Sequence, residues 1–309
     1  MTDIPRTGRI GVWTSALGFA PPSRARDVAA ELEQLGYGTL WLSEGLVRDP
    51  FLDATLALES TSTLTLATGI ASIWARRPRV VAGLADGLAE AYPGRFLLGL
   101  GTSHKFGVET LLGTAYGKPY TAMRTYLDEI DGMRDTVKSV LPALVPREDV
   151  PRAPRVLAAL GPKMLELARD RSQGAHPYLV TPEHTRTARA VLGPDRLLAV
   201  EQAVVLNPDK AEARRLAAAH VNGYLGRDVY HLSLRRLGFT DDDFTGGPSG
   251  GASDRLVDAL VAYGDVDDIN RRLDEHFAAG ADHVCIQAVG DDPRVIPLAQ
   301  WRALAPAVA

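Results

Sequence analysis

The sequence predicts a (β/α)8 barrel, and three observations carry that prediction. Short apolar, β-branched runs alternate with longer stretches of helical period along the whole chain. The runs that read as strands reach the eight that a closed barrel requires. No shift in composition marks a second domain across the 309 residues, so 1–309 reads as a single domain. Strands are expected at 9–14, 38–43, 64–71, 95–100, 155–159, 175–180, 197–206 and 282–288. Helices are expected between them at 24–35, 51–60, 78–92, 122–140, 162–171, 182–192, 210–224 and 266–279. Several carry start signals: Pro22-Ser23 precedes the first helix, and Thr181-Pro182-Glu183 offers an N-cap threonine followed by proline at the first helical position.

Two segments interrupt the rhythm after strand ends, where a barrel collects its ligand contacts, and they read as insertions at the C-terminal face. The first is 101–119. The second, 226–253, holds Asp241-Asp242-Asp243 and the cluster Gly246-Gly247-Pro248-Ser249-Gly250-Gly251, which reads equally as a lid edge or a linker.

Composition removes several classes of function. Lysine and arginine total 34 against 38 acids, a formal charge of −4, so nothing draws the chain generally to nucleic acid or anionic lipid, and any anion site is local. The chain shows no apolar leader and no run long enough for a membrane helix, which sets a cytoplasmic expectation. Cys285 is the single cysteine and sits in an apolar run, which suggests a buried small residue. The sequence contains no phosphate-binding glycine loop of the Walker type, no zinc-binding His-Glu-x-x-His, no Cys-x-x-Cys and no nucleophile elbow, and no metal is expected.

What remains clusters at strand ends. Gly99-Leu100-Gly101-Thr102-Ser103-His104 follows the fourth strand, and its glycines would admit a planar ligand against the backbone. His104 stands where a third dinucleotide-fold glycine would be, which disfavours that fold and leaves a group titrating near neutrality beyond a barrel strand. His104 is therefore the candidate catalytic residue, against the plainer reading of a histidine that anchors its turn. Glu44 ends the second strand and should emerge at the mouth, to accept hydrogen bonds from a ligand or to pair with Arg48. Gly69-Ile70 interrupts the third strand as a bulge would, and Arg76, Arg77 and Arg79 follow at the next helix start, where cations are misplaced unless an anion lies near. Gly161-Pro162-Lys163-Met164 and the stretch from Thr181 through His184 to Thr185 open the fifth and sixth helices with free N–H groups suited to phosphate.

Taken in order, Leu40-Trp41-Leu42-Ser43-Glu44, Ala67-Thr68-Gly69-Ile70, Arg95 through Gly101 and Ala279-Gly280-Ala281-Asp282-His283-Val284 resemble the luciferase-like monooxygenase superfamily, most closely its deazaflavin-dependent branch. That resemblance implies a luciferase-like barrel with the cofactor ring in its mouth, coenzyme F420 or alternatively FMN, and a homodimer. It further implies a non-proline cis peptide at Gly69-Ile70 behind the ring, Glu44 on the polyol chain, Gly101, Thr102, Ser103 and His104 at ring and substrate, and Gly161, Pro162, Lys163, Met164, Thr181 and His184 at the phosphate. Arg76, Arg77, Lys105 and Lys118 would suit the anionic oligoglutamate tail. The sugar-phosphate dehydrogenases of this branch carry a histidine and a glutamate where this chain has Gly45 and His104, which argues against that substrate. The implied reaction is hydride transfer between a small organic molecule and the deazaflavin C5. The competing readings are an FMN monooxygenase using dioxygen and a barrel that binds a flavin without turnover.

Overall fold

The computed structural model describes residues 4–45, 47–140, 150–247 and 250–305. Its strands are β1 Ile10–Thr14, β2 Thr39–Leu42, β3 Thr65–Thr68, β4 Ala71–Ser72, β5 Phe96–Gly101, β6 Arg155–Leu157, β7 Gly174–Ala175, β8 Leu197–Leu206, β9 Val261–Gly264 and β10 His283–Ala288. All pairings are parallel, and the ring runs β1, β2, β3, β5, β6, β7, β8, β10 before β10 returns to β1. Closure is set by His283↔Ala199 on one side of β10 and Ile10↔Val284 on the other. The chain is thus a (β/α)8 barrel, as the alternation predicts.

The period-2 pattern of the strands divides them cleanly. Val12, Leu40, Leu66, Leu98, Val200 and Val284 point outward into the layer beneath the helices. Their neighbours Trp13, Trp41, Ala67, Leu97, Val156, Ala199 and Cys285 fill the barrel interior. Cys285 is a free, fully buried thiol in that interior, as its apolar setting predicts.

The expected helices are present as α1 Pro22–Gln34, α2 Pro50–Glu59, α3 Pro78–Ala91, α4 Pro119–Val140, α5 Pro162–Arg171, α6 Pro182–Leu192, α7 Lys210–Leu225 and, further on, α11 Val266–Ala278. The first six open on proline, whose fixed φ and missing N–H suit the first helical position.

The structure departs from the sequence expectation in three places. The strand expected at 175–180 is only the two-residue β7, because Pro177 has no N–H to give a ladder and the Glu201 carboxylate takes the Leu179 N–H at 3.0 Å. The strand expected at 64–71 is split at Gly69-Ile70 into β3 and β4. Between α7 and α11 lie α8 Asp228–Arg236, α9 Asp241–Thr245, α10 Asp254–Leu260 and the short strand β9, which extends the far half of β8. The segment 226–253 therefore carries helical structure: Leu234, Phe239 and Phe244 pack with Leu256 and Val205 in a second core. The three aspartates form the first turn of α9, where Thr240 and Asp243 cap each other and the acids meet the positive end of the helix. Within the glycine cluster, Pro248 and Ser249 lie outside the described residues. At the other end, α12 Leu298–Leu304 buries Trp301 and receives the Tyr37 hydroxyl on its Trp301 carbonyl at 2.8 Å.

Candidate active site at the barrel mouth

The break in the third strand lies where the resemblance places the floor behind a cofactor ring. The Gly69-Ile70 peptide is cis, the form that the resemblance implies. Gly69 N–H donates to Leu42 O at 2.7 Å and Gly69 O accepts from the Trp13 indole at 2.7 Å, so the turn is tied to β2 and β1. A Cβ on Gly69 would stand 2.9 Å from Trp13 Nε1 and 3.2 Å from His176 Nε2, which explains the glycine. Gly101 has a different cause from the one its motif suggests. The space where its Cβ would stand is filled by Ile70 Cγ1 at 2.5 Å, so the residue is glycine to seat Ile70.

Glu44 emerges at the end of β2 and is already engaged. Both its oxygens accept from Arg76 at 2.8 Å, and one also accepts the Ser72 N–H at 2.8 Å. Arg76 gives its remaining donors to Asp49, and its carbonyl accepts from the Tyr126 hydroxyl at 3.0 Å. Burial works against the guanidinium charge, but the Glu44 and Asp49 carboxylates hold its pKa above the usual arginine value. Arg48 is turned the other way, onto Asp53 and the carbonyls of Leu17 and Ala20. Arg77 and Lys105 are exposed, as is Lys118.

Beyond β5 the chain is pinned by two rings: Trp74 donates to Thr102 O at 2.8 Å, and Tyr116 donates to Ser103 O at 3.2 Å. Ser103 adopts φ 51°, which turns the chain into the loop. His104 is half-buried, and its Nδ1 accepts the Gly107 N–H at 3.1 Å. The neutral ring therefore carries its proton on Nε2. Burial first, and then the nearby Arg227 guanidinium, lower its pKa, so the neutral form prevails at neutrality.

The two helix starts that the resemblance assigns to a phosphate differ. Thr181 Oγ1 caps α6 by accepting the His184 N–H at 3.3 Å, and Glu183 puts a carboxylate in its first turn. The α5 N-terminus has Gly161 as N-cap, no side-chain cap and no acid in its first turn. Lys163 is exposed there, whereas Met164 leans against the core. His184 is buried and its Nε2–H donates to Leu160 O at 2.9 Å.

Several interior groups escaped the motif reading. Tyr178 packs against Trp13 with ring centroids 5.3 Å apart, and its hydroxyl meets the Tyr224 hydroxyl at 2.5 Å and Gln287 Oε1 at 2.8 Å. Tyr230 and Arg227 flank Tyr224 at 5.3 and 4.5 Å. Beneath them Glu201 is buried on β8; burial pushes its pKa up to about 8, and Oε1 has no partner among the described residues. An acid inside the apolar run Leu197–Leu206 was its visible signal. His176 stacks on Trp41 with centroids 4.2 Å apart and is held neutral by burial, at about 4. Among the described residues no cluster of acids, histidines and cysteines could hold a metal ion, and no helix is long and apolar enough to cross a membrane.

The structure is a parallel (β/α)8 barrel with Glu44, Gly69-Ile70 and His104 all placed at or just beyond strand ends. The sequence profile of the luciferase-like monooxygenases matches residues 6–283, and the chain belongs to that family. An uncharacterised Mycobacterium tuberculosis protein is 33% identical over 175 residues, and the chain spans about half the length of that relative, 51% of each. A second M. tuberculosis protein, provisionally assigned as a coenzyme F420-dependent oxidoreductase, is 25% identical over 91% of this chain and 94% of its own. The 5,10-methylenetetrahydromethanopterin reductase of Methanolobus tindarius is 24% identical over 88% and 93%. Among solved structures, an F420-dependent secondary alcohol dehydrogenase superposes with a TM-score of 0.73 over 98% of this chain and 99% of its own, at 15% identity. The FMN-bound oxygenating component of 3,6-diketocamphane monooxygenase from Pseudomonas putida gives 0.65 over 97% and 96%, at 16% identity. These structural likenesses share the fold.

Proposed function

We propose that the protein is a coenzyme F420-dependent oxidoreductase that moves a hydride between the deazaflavin and a small carbonyl or alcohol substrate. The observation that carries this reading is His104, a half-buried neutral imidazole with Nδ1 occupied by Gly107 N–H and its proton on Nε2, directly beyond a barrel strand. The M. tuberculosis relative named as a coenzyme F420-dependent oxidoreductase, matched over most of both chains, supports the choice of cofactor. The residues fit such a group: the uncapped α5 N-terminus suits a phosphate, and Gly69 and Ile70 offer a backbone floor for a ring.

When bound, the deazaflavin supplies a carbon that gives or takes a hydride. The chain supplies the rest. Gly69, tied to Trp13, and Ile70, seated on Gly101, fix the floor. The Tyr178, Tyr224 and Tyr230 rings pack into one aromatic cluster that continues from Trp13. His104 Nε2–H donates to the substrate oxygen, stabilising negative charge as a carbonyl is reduced. The alkoxide so formed takes its proton from water, and in the reverse direction water takes the alcohol proton while the same Nε2–H steadies the alkoxide that gives up the hydride. Glu44, held by Arg76, accepts the Ser72 N–H directly and so fixes Ser72 beside Gly69-Ile70.

Fluorescence titration with F420 and with FMN, each oxidised and reduced, tests the reading. Micromolar or tighter F420 binding with negligible FMN binding is expected. Preference for reduced FMN would replace it with the monooxygenase reading, which the family's FMN-binding members motivate. Tight binding without turnover on any carbonyl would leave a carrier.

A further inference from the structure

Three consecutive residues after β7 send their side chains to three different places. Tyr178 packs on Trp13 at the barrel interior, Leu179 enters the second core with Val205 and Leu256, and Val180 joins the layer beneath the helices. Leu179 has φ 55°, a left-handed backbone that a bulky residue keeps only where its surroundings hold it there. One residue of β8 does the holding. The Glu201 N–H donates to Pro177 O at 3.0 Å, and the Glu201 Oε2 accepts the Leu179 N–H at 3.0 Å, so Glu201 grips the chain on both sides of Tyr178.

Glu201 stands opposite Cys285 of β10, alternates with the outward Val200 and is only 1% exposed. It makes no ion pair among the described residues, and its Oε1 has no partner there. An acid buried without a cation costs stability, and what this one gains is the Leu179 N–H. From Tyr178 the contacts run on to two strand ends. Its ring lies 5.3 Å from Trp13, whose indole holds Gly69 O at 2.7 Å, and its hydroxyl donates to Gln287 Oε1 at 2.8 Å near the end of β10.

We propose that Glu201 is a positioning residue: it clasps Pro177 and Leu179, sets the Tyr178 ring against Trp13, and through Trp13 steadies the Gly69-Ile70 peptide as the backing for a cofactor ring. The cofactor part rests on the flavin-type reading above, whereas the clasp does not. A side chain that accepts the Leu179 N–H at the same reach keeps the clasp, and one that lacks an acceptor loses it.

The test is fluorescence titration with F420 and FMN of wild type, Glu201→Gln, Glu201→Leu, Tyr178→Leu and the double variant Glu201→Leu, Tyr178→Leu. Glu201→Leu removes the acceptor and should weaken whichever cofactor binds by about tenfold, while Glu201→Gln, which keeps it, stays within about twofold of wild type. Because Glu201 acts through Tyr178, the double variant should bind no more weakly than Tyr178→Leu alone. Wild-type affinity in Glu201→Leu, an equal loss in Glu201→Gln, or additive losses in the double variant overturn the proposal. Should Glu201→Leu not fold, Glu201→Asp, one methylene too short to reach Leu179, takes its place with the same expectations. If wild type binds neither cofactor, the functional reading falls and amide hydrogen exchange decides this one. Faster exchange over 177–180 and 69–72 in Glu201→Leu than in wild type and Glu201→Gln supports it; equal rates overturn it.

Discussion

Arg76 grips Glu44 through two parallel hydrogen bonds of 2.8 Å at the rim of the barrel, with side-chain exposures of 12% and 22%. The pair joins the end of β2 to the turn after β4 and leaves Glu44 with no uncommitted oxygen. Truncating one partner strands the other's charge in a half-dry site. Arg76→Ala is expected to cost roughly 3 kcal/mol in urea denaturation, and Arg76→Lys, which keeps charge but loses the fork, to recover only part of it. Equal stability of all three proteins would show that the pair is idle.

The pH profile follows from His104. Burial and Arg227 lower its pKa below 6.5, so the neutral ring persists through neutrality and is lost only in acid. Protonation at Nδ1 would break the hydrogen bond from Gly107 N–H that orients the ring, so turnover should stay level from about pH 8 down through 6.5 and fall below that. Arg227→Gln removes a repelling charge, so the acid limb should move upward toward 6.5. His104→Ala should cut turnover by about 100-fold or more with cofactor affinity unchanged. A profile that ignores Arg227 would contradict this arrangement.

Glu201 makes a prediction about stability. Its folded pKa of about 8 lies above the ordinary 4.5, so the folded state holds a proton that the unfolded state has released between these values. Stability contributed by the protonated carboxyl is full below 4.5 and declines as pH rises toward 8. Glu201→Gln should remove that slope, so its advantage over wild type in melting temperature widens from pH 5 to pH 8. A constant difference would mean that Glu201 is ionised throughout.

Gly101 and Ile70 form a size-matched pair. Gly101→Ala places a methyl 2.5 Å from Ile70 Cγ1, an overpacking expected to cost about 1–3 kcal/mol. The double variant Gly101→Ala, Ile70→Val should regain part of that loss, whereas additive losses would mean that the two do not touch.

The barrel was legible because each βα unit announces itself locally: period-2 runs such as Ile10–Thr14 buried on both faces, and prolines opening α1 through α6. Boundaries failed where a single side chain replaces the ladder, as Glu201 does at Leu179 after Pro177. β9 escaped because it follows α10 directly and shares its apolar run. His104, Glu44 and Gly69-Ile70 were visible at strand ends, but what each touches was not. Arg76 was singled out as a cation awaiting an anion, and its anions proved to be Glu44 and Asp49.

Anaerobic single-turnover mixing tests hydride exchange with a carbonyl most directly. Protein loaded with reduced F420 should be reoxidised by an aldehyde or ketone in the absence of dioxygen, with recovery of the oxidised chromophore and marked slowing in His104→Ala. Reoxidation that requires dioxygen, and proceeds with reduced FMN instead, would contradict the account.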